Sequence, residues 1–301
     1  MSATLGFKLV NTVKQGVFWT IHMGCLAVIW AGISWVAVAI CLALYLIRMF
    51  AITGGYHRYF SHRTYKTSRV FQFILAFIGA SSAQKGPLWW ASHHRQHHQH
   101  SDTEQDVHSS RVKGVWWSHV GWVLSSQYIE TNVDLVKDLS RFPELRFIDR
   151  NHLIAPVSLA VALFYCGEWL LHASPNLHTS GLQLLVWGFC ISTTLLYHGT
   201  FMINSAAHLI GTQRFFTGDD SRNNFWLALI TLGEGWHNNH HRYPGSEKQG
   251  FYWWEIDISH YILTLLSWLG LVWDLRVPPE RIYAEAMRNE QAAVLPHSPK
   301  P

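Results

Sequence analysis

Charge is scarce in this chain. Asp, Glu, Lys and Arg together make up 14% of 301 residues, against about a quarter in ordinary soluble domains. No Lys or Arg occurs between Lys14 and Arg48, and none between Arg150 and Arg214. Tracts of that length without a cation exclude an ordinary water-facing surface there. Cysteine is thin too: Cys25, Cys41, Cys166 and Cys190 lie in apolar runs, without the spacing of a zinc or redox site. They read as reduced fillers of an embedded core. His-Glu-x-x-His is absent, which argues against a zinc protease, and Gly-x-Gly-x-x-Gly and His-Pro-Gly-Gly are absent as well. Any reducing equivalents must therefore arrive from a separate protein. The net charge of +4 says little by itself; no nucleic-acid partner is expected.

Apolar residues, by contrast, reach 49%, with 16 Trp and 11 Tyr, the rings that collect at membrane–water interfaces. The apolar run 17–53 would measure about 55 Å as one helix, against a hydrocarbon core of about 30 Å. Two helices are therefore expected, at about 17–32 and 34–53, turning at Ala31-Gly32-Ile33-Ser34. The second cation-free stretch gives helices at about 153–171 and 181–203. Confinement of all 23 Lys and Arg to the remaining segments is the positive-inside pattern written twice. It places both termini and the segments 54–152 and 204–283 in the cytoplasm. Residues 70–83 are too short to span, 256–273 read as an amphipathic surface helix, and 284–301 as a disordered tail. The expected architecture is all-α and integral to the bilayer. One domain over 1–301 comprises two transmembrane hairpins, hence four transmembrane helices, beneath a helical cytoplasmic cap.

Nine of the 20 histidines stand at ligand spacing: His57-x4-His62, His94-x2-His97-His98, His208 and His237-x2-His240-His241. On this topology all nine face the cytoplasm. In His-x-x-His-His, positions i, i+3 and i+4 share a helix face, so three imidazoles can converge on a metal pair. His-x4-His is weaker, because i and i+5 point about 140° apart on an ideal α-helix. It becomes useful if the helix unwinds or the rings face different metals, and Gly54-Gly55 permits such distortion. Asn204 and His208 are i and i+4, so Asn204 could hold a water completing one metal's shell.

Imidazole suits zinc, copper, iron and nickel alike, but nine donors exceed what one zinc uses. The soluble di-iron pattern is missing, since only one Glu-x-x-His occurs, Glu234-Gly-Trp-His237. Two irons with an open side for O2 is the economical reading. Asp102, Asp106, Asp219, Asp220, Glu234 and Asp257 are candidates to orient the rings, in no evident order. His100, His119, His152, His178 and His297 read as solvated. His22, His172 and His198 read as hydrogen-bonded pairs within the membrane, and His93 and His108 as neighbours of the metals or the substrate, or as no part of the site. A His-rich metal transporter would carry ionisable residues at membrane depth; deep inside the four helices no Asp, Lys or Arg is expected.

His57-Arg-Tyr-Phe-Ser-His62, Trp90-Ala-Ser-His-His-Arg-Gln-His-His98, Asn204-Ser-Ala-Ala-His208 and Gly233-Glu-Gly-Trp-His-Asn-Asn-His-His241 resemble the boxes of the membrane fatty acyl desaturases. Ser118-His-Val-Gly-Trp122 and Trp254-Glu-Ile-Asp257 resemble the stearoyl-CoA desaturase-like Δ9 branch, over about residues 17–276. The resemblance implies a di-iron site of His57, His62, His94, His97, His98, His208, His237, His240 and His241, with Asn204 acting through water. It implies O2-dependent desaturation at C9–C10 of a saturated acyl chain. The two electrons would come from a carrier such as cytochrome b5 or ferredoxin with its reductase. It places the chain terminus near Cys41 and Tyr45. The branch's CoA-contacting cations are replaced here by Ser92-His93 and Ser126-Gln127. That leaves Lys85, Arg111 and Lys113 to hold a CoA thioester, or a glycerolipid as the carrier. A hydroxylase or other di-iron oxidase acting on another lipid is the alternative within the same chemistry.

Overall fold

The computed structural model describes residues 15–294; His297 and the end of the expected tail lie outside them. Among the described residues, three helices are long and apolar enough to cross a membrane: α2 (Trp35–Ser61), α6 (Ile154–Ala173) and α7 (Gly181–His208). The first apolar helix, α1 (Gln15–Ala31), is shorter and carries a 3-10 turn at Cys25–Ala27. Gly32, at φ 70°, makes the turn that follows, a conformation that costs glycine nothing. The Ser34 hydroxyl then accepts the Ala37 N–H at 3.2 Å and starts α2, an ordinary N-cap.

The expected end of this helix at residue 53 is corrected. It runs on to Ser61, with Ala51–Ser61 wound as a π-helix. Arg48 is a second correction: it lies 1% exposed inside α2. Its guanidinium donates to the Leu44 and Ser81 carbonyls and to the Ser192 and Thr193 hydroxyls. Those oxygens replace water around a charge that bare hydrocarbon would reject. Cys41 is buried as expected, but Cys166 is exposed on α6, among Tyr165, Val161 and Trp169.

Helices α6 and α7 touch through backbone. A Cβ built on Gly167 would lie 2.4 Å from the Ser180 carbonyl, and one on Gly181 2.5 Å from the Phe164 carbonyl. Glu168 reaches across and accepts the Gly181 N–H at 2.9 Å.

Shorter helices pack around these three. They include α3 (Arg69–Ala80), α4 (Pro87–His100), α5 (Pro143–Arg150), α8 (His237–Arg242) and α9 (Ile258–Trp268). The fold is not wholly helical: β1 (Lys66–Thr67) pairs antiparallel with β2 (Val272–Trp273). The chain leaving α2 and the chain leaving α9 run side by side there, and their backbone groups satisfy one another. The expected disorder from residue 284 is also corrected. α10 (Glu280–Val294) is helical, and Ile282 and Ala286 pack on Phe215 and Phe251.

Candidate metal centre

The π-helix decides the fate of His-x4-His. Its i→i+5 bonding, seen as the His62 N–H donating to the His57 carbonyl at 3.2 Å, brings i and i+5 onto one side. His57 and His62 therefore enter the same cluster, with ring centroids 5.0 Å apart.

Nine imidazoles converge as two groups, each with ligand atoms within 4.8 Å of one another. One holds His57, His62, His94, His98 and His240; the other holds His97, His208, His237 and His241. The two boxes are shared crosswise. His94 and His98 (i, i+4) join the first group while His97 joins the second. His237 and His241 join the second group while His240 joins the first. Facing Nε2 atoms are close: His57–His240 3.0 Å, His98–His240 2.9 Å, His62–His94 2.8 Å and His208–His237 3.0 Å.

The carboxylates left unordered by the sequence now have assignments. Asp106 accepts from His97 Nδ1 at 2.9 Å, Asp102 from His208 Nδ1 at 2.9 Å, and Asp219 from His241 Nδ1 at 2.6 Å. Glu234 pairs with His57 Nδ1. Asp220 pairs instead with Arg111, and Asp257 with Arg58, which also grips Glu234. A Cβ on Gly233, at φ 124°, would meet the Asp257 carboxylate at 2.2 Å. Only glycine fits that close approach at that φ.

Each ring that gives its Nδ1 proton to a carboxylate turns an Nε2 lone pair inward. The Nε2 atoms of His97 and His241 are buried and lack a protein partner. Burial, reinforced by neighbouring imidazoles, holds His62, His94, His98, His237 and His240 well below the usual histidine range. It brings His241 down to about 4. Neutral, converging lone pairs in a buried site are a donor set for a cation. The residues present fit a metal pair.

Two cavities meet beside these clusters, sharing Trp90, His94, Thr200 and Asn204 in their walls. The larger, ≈ 310 Å3, is otherwise bounded mainly by aromatic and aliphatic side chains and by Lys85. The smaller, ≈ 40 Å3, runs from the histidines to Met49 and Ile52. Cys41 and Tyr45 line neither. Tyr45 lies just past Met49, with its hydroxyl donating to the Ile230 carbonyl at 2.7 Å.

Two histidines read as solvated, His119 and His152, are not, while His22 and His198 are hydrogen-bonded as expected. His119 bonds to His198 and Ser205, both at 3.0 Å, and His198 faces His22 at 3.3 Å. His152, together with His93 and His108, lines the larger cavity. No spacing signal marks His152, because it comes into place only through the fold.

The fatty acid desaturase family model matches residues 33–273. The chain is 35% identical over 275 residues to an sn-1 stearoyl-lipid 9-desaturase of Anabaena variabilis, covering 90% of this chain and 96% of that one. It is 36% identical over 251 residues to a chloroplastic palmitoyl-monogalactosyldiacylglycerol delta-7 desaturase of Arabidopsis thaliana, covering 82% of this chain and 64% of the relative. It is 37% identical over 251 residues to an acyl-CoA C20 Delta5-desaturase of Anemone leveillei, covering 82% and 76%. With two imidazole clusters against apolar cavities and a family match over most of its length, the chain belongs to the fatty acid desaturase family and is an oxidoreductase of that kind.

Proposed function

We propose that the chain is an O2-dependent acyl-lipid desaturase placing a cis double bond at C9–C10 of a saturated chain carried on a glycerolipid. One observation carries this reading: the clusters of five and four imidazoles abut the junction of two apolar cavities. In this reading α1, α2, α6 and α7 form two membrane hairpins, with the histidines and both termini on the cytoplasmic side. The nine histidines hold two irons, Asn204 contributes through water, and the irons when bound supply the activation of O2. The balance is one alkane segment, O2, two electrons and two protons, giving one alkene and two waters. The electrons come from a separate carrier protein.

The chain's own groups position the substrate. The larger cavity takes the carboxyl half of the acyl chain, and Trp90 and Thr200 turn it at the shared wall. The smaller cavity takes the methyl half, toward Met49 and Tyr45. Such confinement carries the regiochemistry, because a displacement of about 1 Å can cost a hundredfold in rate. Two observations favour a glycerolipid over CoA. Arg111 is paired with Asp220 at 2.6 Å. Lys113 donates to the Asp106 carbonyl at 2.8 Å and the Tyr128 hydroxyl at 3.3 Å. Both cations are already engaged by this chain's own oxygens, so a CoA phosphate would have to compete for them.

Expression in a host lacking unsaturated fatty acids, with lipid-class-resolved mass spectrometry, tests the reading. Monounsaturated glycerolipid is expected from the wild type and none from His97→Ala or His241→Ala, which should also lose iron. Products that gain an oxygen instead of losing two hydrogens would identify a hydroxylase.

A further inference from the structure

Among the residues that line the larger cavity, Lys85 is the one carrying a Lys, Arg, Asp or Glu side chain. It sits in a strained segment. Ala83 and Lys85 have φ of 58° and 64°, left-handed values that cost a non-glycine residue about 1 kcal/mol or more. Three side chains pin the strand of backbone in place. Tyr197 donates its hydroxyl to the Ala83 carbonyl at 3.0 Å, Tyr56 to the Lys85 carbonyl at 3.3 Å, and Gln84 to the Thr200 hydroxyl at 3.0 Å. These bonds fix the backbone from which the Lys85 side chain starts. Lys85 Nζ donates to the Ile129 carbonyl and sits 4.8 Å above the Trp89 ring. One carbonyl and a ring face leave further N–H donors on an ammonium group that has three. The nearest carboxylate, Asp149, acts on Lys85 from outside the cavity wall, and its oxygens already accept from the Leu88 and Trp89 N–H groups and the Thr131 hydroxyl.

Lys85 precedes α4, and His94, which belongs to the five-imidazole cluster, lines the same cavity. The ammonium group, over the Trp89 ring, and the His94 imidazole therefore face one cavity, separated along the helix by little more than a turn.

We infer that Lys85 donates a hydrogen bond to the ester carbonyl oxygen of the bound acyl lipid, and so sets the point from which carbons are counted to the site of desaturation. This rests on the acyl-lipid reading above and names the residue that fixes its regiochemistry. Lys85 is a specificity-determining contact, and Trp89 beneath it keeps the ammonium from swinging away.

The test is a cycle of two proteins and two lipids, read as equilibrium binding to the full chain without O2, where no turnover occurs. Wild type and Lys85→Met each meet a stearoyl glycerolipid ester and its octadecyl ether counterpart, which lacks the carbonyl. Met fills the lysine's stem and bears the same left-handed strain. Wild type is expected to bind the ester at least about tenfold more tightly than the ether, as a hydrogen bond from a charged donor requires. Lys85→Met should bind the two lipids equally, and Lys85→Arg should restore the preference. With O2 and reductant, Lys85→Met should give several double-bond positions around C9 at raised KM, where wild type gives one. Equal binding of ester and ether by the wild type overturns the inference, even if the variant fails to fold. So does a single unshifted isomer from Lys85→Met at wild-type KM. A wild type that makes no unsaturated glycerolipid would overturn the acyl-lipid reading itself, which is a separate outcome.

Discussion

Asp106→Asn removes one charge and almost no volume, and it should loosen one metal of the pair. Asp106 is fully buried, at 0% exposure. Its Oδ1 accepts from His97 Nδ1 at 2.9 Å and from the His108 backbone N–H at 3.1 Å, and its Oδ2 from the Asp102 N–H at 2.9 Å. Burial alone would raise its pKa, but His97 and His108 beside it hold the carboxyl far below the usual range. All three partners are donors. An asparagine offers one oxygen and one NH2, so a donor must face a donor whichever way the amide turns. The His97 ring then loses both its orientation and the negative charge that strengthens its Nε2 as a ligand. Loss of such an outer contact typically costs 10- to 100-fold in metal affinity, or about 1.4–2.7 kcal/mol. The assay is metal content of the purified full chain against rising chelator. Wild type should release metal at higher chelator than Asp106→Asn. The variant should lose one metal first, since His97 belongs to the four-imidazole group. Exposed Asp134, changed to Asn, is the control. Superimposable curves for wild type and Asp106→Asn would refute the role given to the carboxylate.

Tyr45→Ala should open the end of the smaller cavity beyond Met49 and lengthen the accepted acyl chain, read as product chain length from mixed saturated lipids. An unchanged profile would remove Tyr45 from the cavity floor. Metal-free protein should lose thermal stability as pH falls from about 6.5 toward about 4. Burial depresses six of the cluster imidazoles, His241 to about 4, so the unfolded chain binds their protons first. His97, raised by Asp106 against the effect of burial, works the other way as a single group. A Tm independent of pH across that window would contradict the buried, neutral state of these rings. Gly167→Ala should destabilise the chain by about 3 kcal/mol through overpacking of α6 on α7, since its Cβ would lie 2.4 Å from the Ser180 carbonyl. Gly16→Ala, where a Cβ meets nothing within 4 Å, should not lower Tm, since Ala is the better helix former.

Much of the centre was legible because its signals are local. The spacing in His94-x2-His97-His98 and in His237-x2-His240-His241 makes a helical ligand face wherever the helix happens to sit. Apolar length likewise announced Ile154–Ala173 and Gly181–His208 within a few residues. The α-helical angle between His57 and His62 left their pairing open; the distortion that Gly54-Gly55 allowed takes the form of a π-helix, whose winding only the fold shows. His152 and His119 looked solvated because nothing in their neighbours predicts the cavity or the partner that covers them. Arg48 was not expected deep inside a helix, since the hydroxyls that solvate it, Ser192 and Thr193, arrive from 144 and 145 residues away.

Composition and spacing by themselves determined that this chain carries membrane-length helices and nine imidazoles suited to a metal pair. Both properties depend on length and periodicity along one stretch of backbone. Tertiary structure alone decided which carboxylate steers which ring, how the nine divide into five and four, and where a cavity meets them. Those outcomes depend on distances between residues far apart in the chain, which a linear order of side chains does not contain.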